Sequence, residues 1–161
     1  MKVGRLPSQP ERKTTMFKHI LLATDGSAAS ENAAQLAVDL ARTHGARLTA
    51  VYVVDPYPFL SIGQTNPLGF QSYMAAAQQS ASEAHAKVAA LCSQGDTPVV
   101  LQARMVENVA AAPGIVQLAV DEGADLIVVG SHGRSGMARL MLGSVANKVV
   151  AESPVPVLVV R

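Results

Sequence analysis

Cysteine is nearly absent from this chain: Cys92 is the only one in 161 residues. A single thiol excludes an intramolecular disulfide and a cysteine-rich zinc site. A lone Cys within a helical stretch reads as a small core residue rather than a reactive thiol. Tryptophan is missing, and the aromatics amount to three Tyr and three Phe. The apolar half of the chain is therefore built largely from Ala, Val and Leu, which suits helices packed closely on a buried sheet. Charge of one sign is lacking too. Thirteen Lys and Arg face 12 Asp and Glu, for a formal net charge of +1. No global field favours nucleic acid or an anionic membrane, although a local basic cluster stays open. No apolar run reaches the roughly 20 residues that a membrane helix needs. The start, MKVGRLPSQPERKTT, has no apolar core of the kind a secretory signal carries. A cytoplasmic protein is the expectation.

With hydrophobic residues at 49%, the chain is long enough for one domain with a sizeable core. Residues 1–15 are polar and contain proline. They bury too little surface to offset ordering, and are expected to be a flexible N-terminal tail ahead of a domain spanning 16–161. Met16 offers an alternative start.

Past the tail, short apolar runs alternate with helical patterns. Lys18 to Thr24 reads as a strand and Asp25-Gly26-Ser27 as a turn. Ser27 or Ser30 can cap a helix that runs to about His44 and stops at Gly45. Its apolar face is predicted at Ala33, Leu36, Ala37, Leu40 and Ala41. Arg47 to Val54 is a second strand. Residues 55–70 hold three prolines and two glycines and read as a long irregular loop. A helix over about Gln71 to Ser93 follows. Pro98 to Val106 is a third strand. Pro113 suits the first turn of a helix that ends near Gly123. Asp125 to Gly130 is a fourth strand, Ser144 to Glu152 the last helix, and Val155 to Val160 a fifth strand beyond Pro154. This alternation predicts an α/β fold: a single doubly wound domain, with a five-stranded parallel sheet and helices on both faces. Continuous apolar runs suit strands buried on both sides.

The chemistry concentrates after the fourth strand. Gly130-Ser131-His132-Gly133 is followed, nine residues later, by Gly143-Ser144 at the start of the last helix. Backbone N–H groups at a helix start have no intrahelical partner, and the helix dipole adds positive charge there. A glycine-rich loop entering such a helix is an anion site, so a phosphate-bearing ligand is expected, a nucleotide first of all. Ligands of open α/β sheets sit at the carboxyl ends of strands where the strand order reverses. If the first and fourth strands are neighbours, Asp25 faces the glycine loop. Its carboxylate can then accept a ribose hydroxyl or hold a metal ion carried by the phosphates, or it can simply form an Asx-turn into the next helix. Arg134 and Arg139 can pair with phosphate oxygens or remain solvated loop charges. His132 has no evident partner and is read as a polar loop residue. Met137, Leu140, Met141 and Leu142 are expected to pack the loop down. No G-x-G-x-x-G follows the first strand and no G-x-x-x-x-G-K-[ST] occurs, so neither the usual dinucleotide fingerprint nor a P-loop lysine is present. No catalytic constellation stands out.

The stretches KHILLATDGSAASENA, VYVVD and ADLIVVGSHGRSGMARLMLGSVANKVVAESPVPVLVVR resemble the universal stress proteins, over roughly residues 16–161. Nucleotide-binding members carry G-x2-G-x9-G-[ST], which Gly130, Gly133, Gly143 and Ser144 match without a gap. The resemblance implies strand order 3-2-1-4-5, ATP as the ligand with Mg²⁺ carried on its phosphates, and a homodimer paired through the last strand, 155–160. It implies that Ala23 and Asp25 contact the nucleoside and that the Val53 backbone meets adenine. Val129 and Gly130 would lie against ribose and phosphates. Gly133, Gly143, Ser144 and Val145 would cradle the phosphates. Relatives often have Pro or Val where this chain has Ala23. The expected function is an ATP-binding regulatory module of stress responses with an unidentified protein partner. Slow ATP hydrolysis or phosphoryl transfer, and a nucleotide-independent dimeric scaffold, are the alternatives.

Overall fold

The computed structural model describes residues 15–57, 67–134 and 141–161. The expected tail, apart from Thr15, and Arg139, Met137 and Leu140 lie outside the described residues. The elements follow the predicted order: β1 (His19–Ala23), α1 (Ala28–His44), β2 (Arg47–Val54), α2 (Pro67–Ser93), β3 (Leu101–Glu107), α3 (Ala111–Asp121), β4 (Leu126–Gly130), α4 (Ser144–Glu152) and β5 (Val157–Val160). All strands are parallel, in the order β3-β2-β1-β4-β5.

The local signals explain most boundaries. Ser27, not Ser30, caps α1: its side chain accepts from the Ser30 N–H, while Gly45 ends the helix at φ 65°, where its N–H reaches the Ala41 carbonyl. The Ser30 hydroxyl turns back instead to the Ser27 carbonyl at 2.9 Å. The buried face of α1 runs through Ala33, Ala34, Ala37, Val38 and Ala41. Leu36 is exposed, because the buried face is centred on Ala34, Ala37, Val38 and Ala41 and leaves Leu36 outside it. The helix α2 starts at Pro67 rather than Gln71, since a proline's fixed φ suits the first helical position. Pro113 does sit in the first turn of α3.

β1 and β4 are buried at every position. Ile20, Leu22, Leu48 and Val128 pack against α1 and α2 on one face. Leu21, Val51, Ile127 and Val129 pack against α3 and α4 on the other. Each large side chain so buried contributes about 1.5–3 kcal/mol. The expectation of strands buried on both sides fails at β3, where Gln102, Ala103 and Arg104 are exposed. An edge strand with partial helix cover keeps polar residues, and these also blunt the edge. Cys92 is buried in the α1–α2 core, as its isolation suggested.

The foot of the sheet, where the strands begin, is closed by side chains. His19 is 2% exposed and Thr49 is fully buried. The Arg47 guanidinium donates to His19 Nδ1 at 2.9 Å, and His19 Nε2 donates to Thr49 Oγ1 at 2.8 Å. The Thr49 hydroxyl donates to Glu122 Oε2 at 2.8 Å, and Arg104 Nε donates to Glu122 Oε1 at 2.6 Å. This chain of donors requires a neutral imidazole. Burial, and next the Arg47 charge, push the His19 pKa down. Burial alone would raise the Glu122 carboxyl, but hydrogen bonds from Arg104 and Thr49 hold it below the usual value. Asp125 ties in the start of β1 by accepting from the Lys18 and His19 amides.

Candidate nucleotide site

β1 and β4 pair directly, from Ile20 with Leu126 to Leu22 with Val128. Their carboxyl ends therefore open on one edge, and Asp25 faces the glycine loop. A cavity of about 480 Å³ lies there, within the roughly 300–1,000 Å³ range of small-ligand sites. Ala23, Asp25, Val53, Val129, Gly130, Gly133, Gly143, Ser144 and Val145 all line it. Residues from four separate stretches of chain thus converge on a single opening.

Asp25 forms the Asx-turn and also reaches the glycine loop. Oδ1 accepts from the Ser27 amide at 3.0 Å and the Ser27 hydroxyl at 2.5 Å, closing an Asx-turn into α1. Oδ2 accepts from the Arg134 amide at 3.1 Å, across to the glycine loop. Burial pushes this carboxyl up, but the hydrogen bonds from Ser27 and the Arg134 amide outweigh it and leave the pKa below the ordinary value. Asp25 is accordingly an anion with one lone-pair direction on Oδ2 still open to a donor.

The α4 N-terminus is the electropositive counterpart. Its N-cap is Gly143, which brings no side-chain cap. The first intrahelical bond is Asn147 N–H to the Gly143 carbonyl, so the N–H groups of Ser144, Val145 and Ala146 are left for another acceptor. The three motif glycines also answer to a constraint inside the fold. The atoms that crowd them are those of the chain itself. A Cβ at Gly130 would lie 2.9 Å from the Ala29 carbonyl oxygen, one at Gly133 2.8 Å from Asp25 Oδ2, and one at Gly143 3.0 Å from the Ser131 carbonyl oxygen. Close approach of β4 to α1, and of the loop to itself, uses the missing side chains.

His132 lines the cavity; its Nδ1 pairs with Ser131 Oγ at 2.9 Å, and its buried Nε2 has no partner among the described residues. Met141 and Leu142 do not pack the loop down: they are 65% and 39% exposed. No group of three or more His, Cys, Asp or Glu among the described residues converges as a metal site. Tyr52 and Tyr73 also belong to the wall, one from a strand and one from a helix. The signal was available for Tyr52: it alternates with Val51 and Val53, so it faces α2 while they face α3. Tyr73 donates to the Asp55 carbonyl at 2.7 Å and stacks at a tilt on Tyr57, with centroids 5.2 Å apart.

The profile of the universal stress protein family matches residues 16–161. This chain belongs to the universal stress protein family. A universal stress protein of Thermus aquaticus is 40% identical over 147 residues, covering 91% of this chain and all of the relative. Among solved structures, the protein MJ0577 superimposes with a TM-score of 0.75 at 26% identity, covering 90% of this chain and 96% of the other. A universal stress protein solved in complex with cAMP superimposes with a TM-score of 0.64 at 27% identity, covering 90% and 97%. No helix among the described residues of this chain is long and apolar enough to cross a membrane.

Proposed function

We propose that this universal stress protein binds ATP, and that occupancy of the site is its regulatory signal. One observation carries the reading: the uncapped N-terminus of α4 and the ionised Asp25 face a single cavity from opposite sides. Phosphate would accept from the N–H groups of Ser144 and Val145 and from the Ser144 hydroxyl, beside Gly133 and Gly143. The ribose would lie against Val129 and Gly130, with a hydroxyl donating to Asp25 Oδ2. Adenine would enter between Ala23 and the Val53 backbone. Two donors already saturate Asp25 Oδ1, so Mg²⁺ is assigned to the phosphates rather than to a protein cage. The relative that was solved with cAMP supports an adenine nucleotide as the ligand class.

The homodimer would pair through β5, an edge strand of half-buried valines and a leucine. Isothermal titration with ATP and Mg²⁺ tests the binding. Saturable heat at millimolar ligand or below is expected, and heat no greater than that of dilution overturns it. Cross-linking or sedimentation of the free and ATP-loaded protein tests the dimer.

A further inference from the structure

The sequence allows Arg134 two roles, as a phosphate partner or as a solvated loop charge. The structure gives it a third set of contacts. Its Nε donates to the Asp25 carbonyl at 3.0 Å, and its Nη2 donates to Tyr52 Oη at 2.8 Å. Its Cζ lies 5.6 Å from the centroid of the Tyr52 ring, within cation–π reach. Its own amide, meanwhile, donates to Asp25 Oδ2. One residue of the β4–α4 loop is therefore tied to the end of β1 through main chain and side chain, and to β2 through Tyr52.

The face on which this happens decides its meaning. The Tyr52 ring packs with Val54, Ala81 and Ala84 on the α2 side of the sheet. The α4 N-terminus belongs to the α3 side, where Ala146 and Val149 join the second core. The guanidinium is thus committed to acceptors at the ends of β1 and β2, on the Tyr52 side, although Arg134 lines the same cavity as Ser144 and Val145. Arg134 and Asp25 also line a second hollow of about 150 Å³ with Ser80, Glu83 and Lys87, so together they form the partition between the two spaces.

We propose that Arg134 is a positioning residue and not a phosphate ligand: its side chain straps the glycine loop to the ends of β1 and β2 and holds Asp25 in its binding orientation. The claim rests on the nucleotide-binding reading for its consequence, but not for the strap itself. Glutamine lacks the fork that reaches two acceptors at once, and lysine keeps the charge but not the planar pair of donors. Tyr52→Phe removes only the acceptor hydroxyl and keeps the ring in its core.

The test uses the ligand-free protein first. Amide hydrogen exchange at residue 134 is expected to be faster in Arg134→Gln and in Tyr52→Phe than in the wild type, since the loop is held less firmly at Asp25. Titration then compares adenosine, AMP and ATP. Arg134→Gln is expected to weaken all three by the same factor, roughly three- to thirty-fold. Tyr52→Phe should act in the same direction by less, and Arg134→Lys should not rescue. A loss confined to AMP and ATP and restored by lysine would make Arg134 a phosphate ligand and overturn the proposal. So would unchanged exchange in both variants, or faster exchange with unchanged affinities. Wild-type protein that binds none of the three sinks the nucleotide reading, while the exchange comparison still reads the strap.

Discussion

The two ends of the sheet are built from the same kinds of residue and come out opposite. At the foot, His19, Arg47, Thr49, Arg104 and Glu122 bond one another, and the buried imidazole, the Thr49 hydroxyl and the Glu122 carboxylate find their partners within the fold. At the carboxyl end, Asp25 keeps part of its capacity free, the α4 N–H groups have no side-chain cap, and a cavity separates them. Both ends hold a carboxylate kept below its ordinary pKa by hydrogen bonds that outweigh burial. A perturbed carboxylate is therefore not by itself the mark of a site. What distinguishes the ends is whether the donors around the carboxylate are all spoken for. A closed network stabilises the fold, and an unfinished one is left for a ligand.

This contrast yields predictions of decreasing size. Gly130→Val should be the most damaging. Its Cβ would meet the Ala29 carbonyl oxygen at 2.9 Å, and backbone cannot yield as a side-chain tip can. Even one added methyl of this kind costs about 1–3 kcal/mol, and valine more. A large fall in melting temperature with loss of nucleotide binding is expected. A variant that melts like the wild type would show that α1 and β4 can part there without cost.

Glu122→Ala should come next. It leaves the Thr49 hydroxyl and Arg104 without their acceptor beside the buried His19, at a cost of about 1–3 kcal/mol. The urea midpoint should drop at unchanged slope, and the nucleotide Kd should stay where it was. Parallel loss of affinity would mean that the two ends are coupled through α3, whose first turn lines the cavity and whose last residue abuts Glu122.

Ser144→Ala inverts that pattern. The residue is exposed at the first position of α4, so stability should hold. Loss of one hydroxyl donor should weaken nucleotide binding by about 0.5–1.5 kcal/mol, read by titration. Equal binding would remove the hydroxyl from the cradle and leave the backbone N–H groups alone.

The last effect is one of profile more than size. The folded pKa of His19 lies below its ordinary 6.5, so the unfolded chain takes up that proton first. The stability associated with neutral His19 is complete above about pH 6.5 and is lost as pH falls from there through the folded value. Glu122 and Asp25 also have lowered folded values. Their contributions are complete above the ordinary 4.5 and 3.8 and disappear at lower pH. Urea midpoints measured from pH 8 to 3 should fall in two stages, and His19→Gln should shrink the first, leaving the share of His85, whose pKa burial also pushes down. A single stage, starting only below pH 5, would contradict the neutral imidazole at the foot.

Much of the fold could be read along the chain because its causes are local. Periodicity, Gly45 as a helix stop and Pro113 in a first turn each act within a few residues, and alternation of strands and helices leaves little choice of sheet. The G-x2-G-x9-G-[ST] spacing pointed to the cradle for the same reason: a glycine loop and a helix start are contiguous features. The family resemblance supplied the strand order that composition and periodicity did not. Other features were not legible. Leu36 fits the helical period as well as Val38, and only the facing sheet chooses between them. Arg104 lies in an apolar-looking strand, and only its place at the edge exposes it. The bonds of Arg134 to Asp25 and Tyr52 span 109 and 82 residues. The polar circuit at the foot likewise joins β1, β2, β3 and the end of α3. By itself the sequence determined the order of elements, the turns between them and the presence of a glycine loop that enters a helix start, since backbone propensity and burial pattern are properties of neighbours. Only the tertiary structure decided which polar groups are spent on one another and which remain for a ligand, because hydrogen bonding and desolvation are settled by groups that the chain brings together from a distance.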